Sequence, residues 1–234
     1  MTTLLLIGDS TVRNGSGQGN NGQWGWGDLL QQYFDSAKLQ VGNKALGGRS
    51  SRTFLTEGHW EKALAALKPC DFVLMQFGHN DGGPLDDTSR ARGSIKGTGE
   101  ETREIENPIL KKHEVVHTYG WYLRKYIAET KAAQATPLVC TPVPRKIFKD
   151  GKIPRSDTYA VWAREVALLQ QVQVLDLAET IAKHYDTLGP ERVDPLFADE
   201  HTHTTRAGAE LNALCVVEAL QALKENPLAV FVAR

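Results

Sequence analysis

Five short apolar runs, separated by longer amphipathic stretches, limit what this chain can fold into. Residues 4–7, 39–41, 72–76, 138–140 and 172–175 are rich in Leu, Val, Ile and Phe and too short for helices. Runs of that length bounded by polar or turn-forming residues read as strands, and strands apolar on both sides are buried on both faces of a sheet. Between them, residues 27–34, 60–67, 116–131 and 156–169 carry helical patterns, and 205–223 places Ala207, Leu211, Leu214 and Cys215 at helical spacing. Strand–helix alternation predicts an α/β fold in which a five-stranded parallel sheet lies between helical layers.

Composition fits this reading and excludes several classes. The 234 residues suit one domain spanning 1–234 with a substantial core. With 27 basic and 28 acidic residues mixed along the chain, nothing marks a nucleic-acid footprint or a polybasic membrane patch. The three cysteines, Cys70, Cys140 and Cys215, are far apart and beside apolar segments, as expected of reduced thiols rather than a disulfide framework. No run approaches the length of a membrane span, and no basic leader precedes residues 4–7; the chain as written reads as cytoplasmic, and a secreted protein trimmed of its leader would look the same. Nothing in the sequence sets an oligomeric state. Residues 82–112 depart from the rest, being polar and charged immediately after the third strand, which predicts an excursion near the mouth of any site at the strand ends.

Ligands of α/β sheets gather where strands end. The first strand runs into "GDST", where Ser10 has two readings, a helix N-cap or a nucleophile. A nucleophile needs a base, an orienting acid and donors for a developing oxyanion. The pair Gly47–Gly48 after the second strand lets backbone N–H groups approach a ligand closely, and is equally an ordinary turn. Asn80, in "FGHNDGG" after the third strand, has a side chain able to donate to an oxyanion or to close an Asx-turn. Near the C-terminus, "FADEHTHTT" sets Asp199 and Glu200 just ahead of His201 and His203, where a carboxylate can orient an imidazole. A competing motif, "HEVVH" at 113–117, has the H-E-x-x-H spacing of zinc peptidases, but no third ligand follows, and His113 reads as the exposed start of a helix.

In order, "GDSTV", "GWG", "GGRSSRTF", "FGHNDGG", "TYGWYLRKYI", "TPVPR" and "HTHTTRAGAELNA" resemble the SGNH (GDSL-type) hydrolases over nearly the whole chain, and more narrowly their rhamnogalacturonan acetylesterase branch. The resemblance implies a flavodoxin-like three-layer sandwich that uses no metal and no organic cofactor. Ser10 would be the nucleophile and His203 the base; the Ser10 and Gly48 N–H groups and the Asn80 side chain would form the oxyanion hole. The substrate implied is an acetylated plant cell-wall carbohydrate, with pectin foremost. The family places Asp three residues before the His, where this chain has Glu200, with Asp199 one position earlier. Neighbouring side chains in an extended segment point to opposite sides, so one of the two should face His203; register favours Glu200, with Asp199 as the alternative. The other readings are a general short-chain carboxylesterase, a zinc peptidase built on "HEVVH", and a non-catalytic carbohydrate-binding relative.

Overall fold

The computed structural model describes residues 1–13, 19 and 21–233. Each expected run becomes a strand: β1 (Thr2–Gly8), β2 (Leu39–Asn43), β3 (Phe72–Gln76), β6 (Thr136–Cys140) and β7 (Gln173–Leu175). They form one parallel sheet in the order β2-β1-β3-β6-β7. A second, antiparallel pair, β4 (Thr102–Asn107) and β5 (Lys112–His117), lies inside and just beyond the polar excursion.

Alternate residues of each strand enter opposite cores, as the two-residue repeat of a pleated strand requires. Leu4, Leu6, Leu74, Leu138 and Leu175 face one side, beneath α5 (Leu177–Leu188), α7 (Arg206–Gln221) and a 3₁₀ turn over Gly27–Tyr33. Leu5, Ile7, Val73, Met75 and Val139 face the other, where Phe54, Trp60, Tyr122, Tyr126 and Val166 come from α1 (Ser51–Thr56), α2 (His59–Leu64), α3 (Tyr119–Ala132) and α4 (Thr158–Leu169). A short α6 (Pro190–Val193) leads toward α7. The three layers are those expected of the sequence, and no helix among the described residues is long and apolar enough to cross a membrane.

Several boundaries differ from expectation, each for a local reason. The helix expected over 116–131 begins only at Tyr119, because Val116 and His117 complete β5, and Thr118 caps α3 by accepting from the Trp121 N–H at 3.0 Å. "HEVVH" is therefore strand rather than helix start. Asn107 turns the hairpin: its Oδ1 accepts from the Ile109 and Leu110 N–H groups, both at 2.9 Å, and Lys111 takes a left-handed φ of 50°. Two helices escape the apolar pattern but carry cap signals. Ser50 and Thr53 form a reciprocal capping box at α1, and Asp176 accepts from the Glu179 N–H at the start of α5.

The excursion is tied to the fold by one buried ion pair. Arg52 on α1 meets Glu114 on β5 through two parallel bonds, Nε to Oε1 at 2.7 Å and Nη2 to Oε2 at 2.8 Å, with both side chains almost wholly out of water. The remaining nitrogen, Nη1, donates to the Leu85 and Gly93 carbonyls, each at 2.8 Å. Burial works against charge on Glu114, but Arg52 and Asn107 outweigh it and hold its carboxyl below the usual range. Removing one partner would strand a buried guanidinium. Glu114→Ala is therefore expected to lower stability in urea unfolding by about 3–5 kcal/mol and to open residues 84–93 to protease. A loss below 1 kcal/mol with unchanged protease resistance would show that the pair does not hold the excursion.

Candidate active site

Parallel pairing brings the C-terminal ends of all five strands to one edge, and the sheet order reverses direction between β1 and β3. At β1 the strand ends so tightly that a Cβ on Gly8 would come within 2.6 Å of the Gln76 carbonyl oxygen. Asp9 closes the turn that follows: its Oδ1 accepts from the Thr11 N–H at 2.9 Å and the Thr11 hydroxyl at 2.8 Å. With Asp9 doing the capping, the Ser10 side chain is free for another partner. That partner is His203, whose Nε2 lies 2.8 Å from Ser10 Oγ.

His203 precedes α7 on a segment folded around a single carboxylate. Asp199 Oδ1 accepts the N–H groups of His201, Thr202 and His203 at 3.2, 2.7 and 2.9 Å. Its Oδ2 lies 2.5 Å from His203 Nδ1. Burial alone would raise this carboxyl, but the His203 N–H and imidazole and the Thr202 N–H hold it down at about 2. An ionised Asp199 accepts a hydrogen bond from Nδ1–H, which keeps the proton on Nδ1 and leaves Nε2 to accept from the Ser10 hydroxyl. This corrects the expectation for Glu200, whose side chain is 93% exposed and whose Oε2 lies 3.8 Å from His201 Nδ1 rather than against His203. Counting from an extended chain fails here because residues 199–203 form a turn wound about the Asp199 carboxylate.

The remaining expected residues converge on Ser10. The Leu46 N–H donates to the Gly8 carbonyl at 3.0 Å, fixing the loop after β2 against the end of β1. Gly47 then lies against Ser10, where an added Cβ would be 3.7 Å from the Ser10 Cβ, and Gly48 takes a φ of 78° open to glycine. Among the described residues, neither the Ser10 nor the Gly48 N–H has an acceptor. Asn80 joins this loop from β3, its Nδ2 donating to the Arg49 carbonyl at 2.9 Å, which occupies one of two N–H bonds and leaves the other to serve a ligand.

Three buried polar residues beside these were not singled out from the sequence. Asp9 Oδ2 lies 3.2 Å from His79 Nδ1, and His79 Nε2 lies 3.0 Å from the Val143 carbonyl, so the imidazole donates at both ends. Burial disfavours both charges, but the pair's mutual attraction lowers Asp9 and raises His79. Asp81 has no such counter-ion; burial pushes it up to about 6 despite bonds from the Ser51 N–H and the Ser51 and Ser94 hydroxyls. The signal was present in "GHND", three consecutive polar residues immediately beyond an apolar strand.

The "HEVVH" residues do not assemble. His113 and His117 lie four apart on a strand, roughly 13 Å from one another along its axis. His113 pairs with Glu106 at 3.3 Å, His117 stacks on Trp121 at 3.7 Å, and Glu114 is committed to Arg52. One other grouping of metal-ligand types, His184, Cys215 and Glu218, joins α5 to α7. There His184 and Glu218 bond each other at 2.7 Å, and burial pushes the Cys215 thiol up to about 12, away from the ligating thiolate.

Comparison with known proteins finds relatives along nearly the whole chain. The model of the GDSL-like lipase/acylhydrolase family matches residues 6–211. A Bacillus subtilis protein named as a probable rhamnogalacturonan acetylesterase, YesY, is 30% identical over 94% of this chain and 93% of its own. The rhamnogalacturonan acetylesterase of Emericella nidulans is 29% identical over 93% of this chain and 84% of its own. Among solved structures, the YxiM protein of B. subtilis superposes with a TM-score of 0.75 at 27% identity, covering 94% of this chain and 56% of that one. A catalytic mutant of the acetylxylan esterase Axe2 from Geobacillus stearothermophilus shares the fold, with a TM-score of 0.62 at 21% identity over 93% of both chains.

Two measurements follow from the charges. Asp199→Asn should lower kcat by about 10²–10⁴ through loss of the correct tautomer, while Glu200→Gln stays within about twofold; equal effects would remove Asp199 from its position. For Asp81, the folded carboxyl keeps its proton to about pH 6 whereas the unfolded one loses it near 3.8. Stability therefore falls as pH rises through that window, by up to roughly 3 kcal/mol. Asp81→Asn should flatten urea-unfolding stability between pH 4 and 6, and an unchanged slope would show that Asp81 is not its source.

Proposed function

Because the chain belongs to the GDSL-like lipase/acylhydrolase family, whose members are carboxylic ester hydrolases, we propose that it is a serine acetylesterase. Its substrate is O-acetylated plant cell-wall polysaccharide or oligosaccharide, rhamnogalacturonan foremost. The observation that carries the chemistry is the 2.8 Å contact between Ser10 Oγ and His203 Nε2 at the end of β1. The choice of substrate is supported by the names of the relatives at about 30% identity over most of the chain.

Ser10 Oγ attacks the acetyl carbonyl carbon as His203 Nε2 takes the hydroxyl proton. Asp199 holds the imidazole in the receiving tautomer and stabilises its charge. Negative charge gathers on the carbonyl oxygen, toward the Ser10 and Gly48 N–H groups and the free N–H of Asn80. Collapse breaks the bond to the sugar oxygen, which leaves with the proton from His203, and an acetyl group remains on Ser10. Water then attacks that ester, His203 removes its proton, and acetate departs as Ser10 recovers its hydrogen. The buried Asp9–His79 pair fixes the backbone on either side: Asp9 is adjacent to Ser10 and His79 to Asn80.

Ser10→Ala should remain folded and lose several orders of magnitude in acetate release from acetylated rhamnogalacturonan. A serine-directed organophosphate should inactivate the unmodified protein with one adduct, on Ser10. A folded Ser10→Ala protein retaining a tenth of the activity would end the proposal.

A further inference from the structure

The glycine loop beside Ser10 is also one wall of a second, basic pocket. Gly47, Gly48, Arg49, Thr53, Arg90 and Arg92 line an open depression of about 370 Å³, completed by Glu57. Three guanidinium groups thus meet one carboxylate. That carboxylate is already engaged, since Glu57 Oε2 accepts from Arg49 Nε at 2.9 Å and contacts His59 Nε2 at 3.0 Å. Among the described residues, neither Arg90 nor Arg92 forms an ion pair, and the bond of Arg92 here is Nη1 to the Gly48 carbonyl at 3.3 Å. The nearby acid on their own loop, Asp87, is turned inward to the Ser89 hydroxyl and the Arg90 and Ala91 N–H groups.

These two arginines sit on a shaped segment. Ala91 is buried with a left-handed φ of 42°, and the Gly93 N–H donates to the Pro84 carbonyl at 2.9 Å. A Cβ on Gly93 would fall 1.8 Å from the Gly83 carbonyl oxygen, so the loop can close here because residue 93 is glycine. Arg52 clamps the same loop from beneath through the Leu85 and Gly93 carbonyls. The cationic face is therefore presented by an ordered scaffold. Burial, aided by the charge of Arg90, pushes the Arg92 guanidinium below its usual range, although the carboxylates of Asp87, Asp9 and Asp81 pull the other way. In the cleft walled by α4 and α5, two of the three lining arginines are neutralised, Arg155 by Glu179 and Asp186 and Arg164 by Asp176, while Arg145 donates to the His79 carbonyl.

We propose that Arg90 and Arg92 form a carboxylate subsite, which binds the uronate group of a sugar unit neighbouring the one whose acetyl group lies at Ser10. The proposal rests on the acetylesterase reading for what lies at Ser10, and adds the anionic character of the adjoining sugar. A guanidinium fork matches a carboxylate through two parallel bonds. The shared Gly47–Gly48 wall makes the subsite continuous with the reacting centre, so an oligosaccharide crossing the oxyanion loop runs into the basic pocket. Arg92 also touches the Gly48 carbonyl, so an anion that orders Arg92 steadies the same peptide segment that faces the reaction.

Two measurements on the full chain test this. The first compares KM for acetylated rhamnogalacturonan oligosaccharides with KM for the same oligosaccharides after reduction of their carboxyl groups to alcohols. The unmodified protein should favour the acidic form by about tenfold or more, the scale of one charge-assisted contact. The preference should shrink with added salt and fall toward one in Arg90→Gln/Arg92→Gln; Arg90→Gln alone, at an exposed position, should show part of the loss without risk to the fold. No preference in the unmodified protein, or an equal loss on both substrates in the variants, overturns the subsite. The second measurement is calorimetric titration with unacetylated digalacturonate, which needs no turnover. Salt-sensitive binding abolished by the double substitution supports the subsite, and no binding overturns it. If acetate is released from neither oligosaccharide, the esterase reading fails while the titration still decides the subsite.

Discussion

Parallel pairing of β1 with both β2 and β3 is the constraint on which everything else in this molecule depends. It sends every strand end to one edge and obliges the chain to leave β1 and β3 toward opposite layers, opening a crevice between them. Ser10 stands on one side of that crevice and Asn80 on the other. The loop after β2 fills its floor, locked by the Leu46 N–H to the Gly8 carbonyl. Only the imidazole comes from outside the sheet's connections, carried on the segment that enters α7. Positional accuracy at the site is thus inherited from a hydrogen-bonded ladder, and the polar residues have only short distances to span from it.

Those spans are themselves braced by buried charge. Asp9 and His79 join the first residue after β1 to the loop after β3, and His79 reaches on to the Val143 carbonyl beyond β6. Such pairs add little net stability once desolvation is counted, yet they penalise any arrangement that separates them. Arg52 with Glu114 does the same for the excursion. Specificity of loop placement, rather than added stability, is what these buried ions contribute. The one uncompensated acid in the group, Asp81, lies where three donors from Ser51 and Ser94 converge.

Much of this was legible in the residues because burial on both faces leaves a dense apolar record. β3 occupies the very residues read as apolar, 72–76, all of them buried. β1 reaches further than its apolar run because Thr2 and Thr3 pair with Leu39 and Gln40 regardless of polarity. The hairpin was hidden for the opposite reason: in β4 only Ile105 and Asn107 face inward, and four polar or charged neighbours mask them. At the site, strand ends and motif order pointed to Ser10, Gly48, Asn80 and His203; Ser10 contacts His203, Gly47 lies against Ser10, and Asn80 bonds the Arg49 carbonyl of the same loop. The choice between Asp199 and Glu200 went to the wrong neighbour because it depends on three backbone N–H groups folding around the Asp199 carboxylate, a conformation no residue spacing records.

His203 follows Ser10 by 193 positions, and that spacing has a consequence for biosynthesis. A chain leaves the ribosome N-terminus first, so β1 must wait for β3 before its second edge is covered. Its hydroxyl stays an ordinary alcohol through all of that time. Its contact with His203 forms only when the turn around Asp199 and α7 dock, after the strands of the sheet have been made. A chain that stops just before that turn already holds all five strands of the sheet, yet leaves the Ser10 hydroxyl without its imidazole partner.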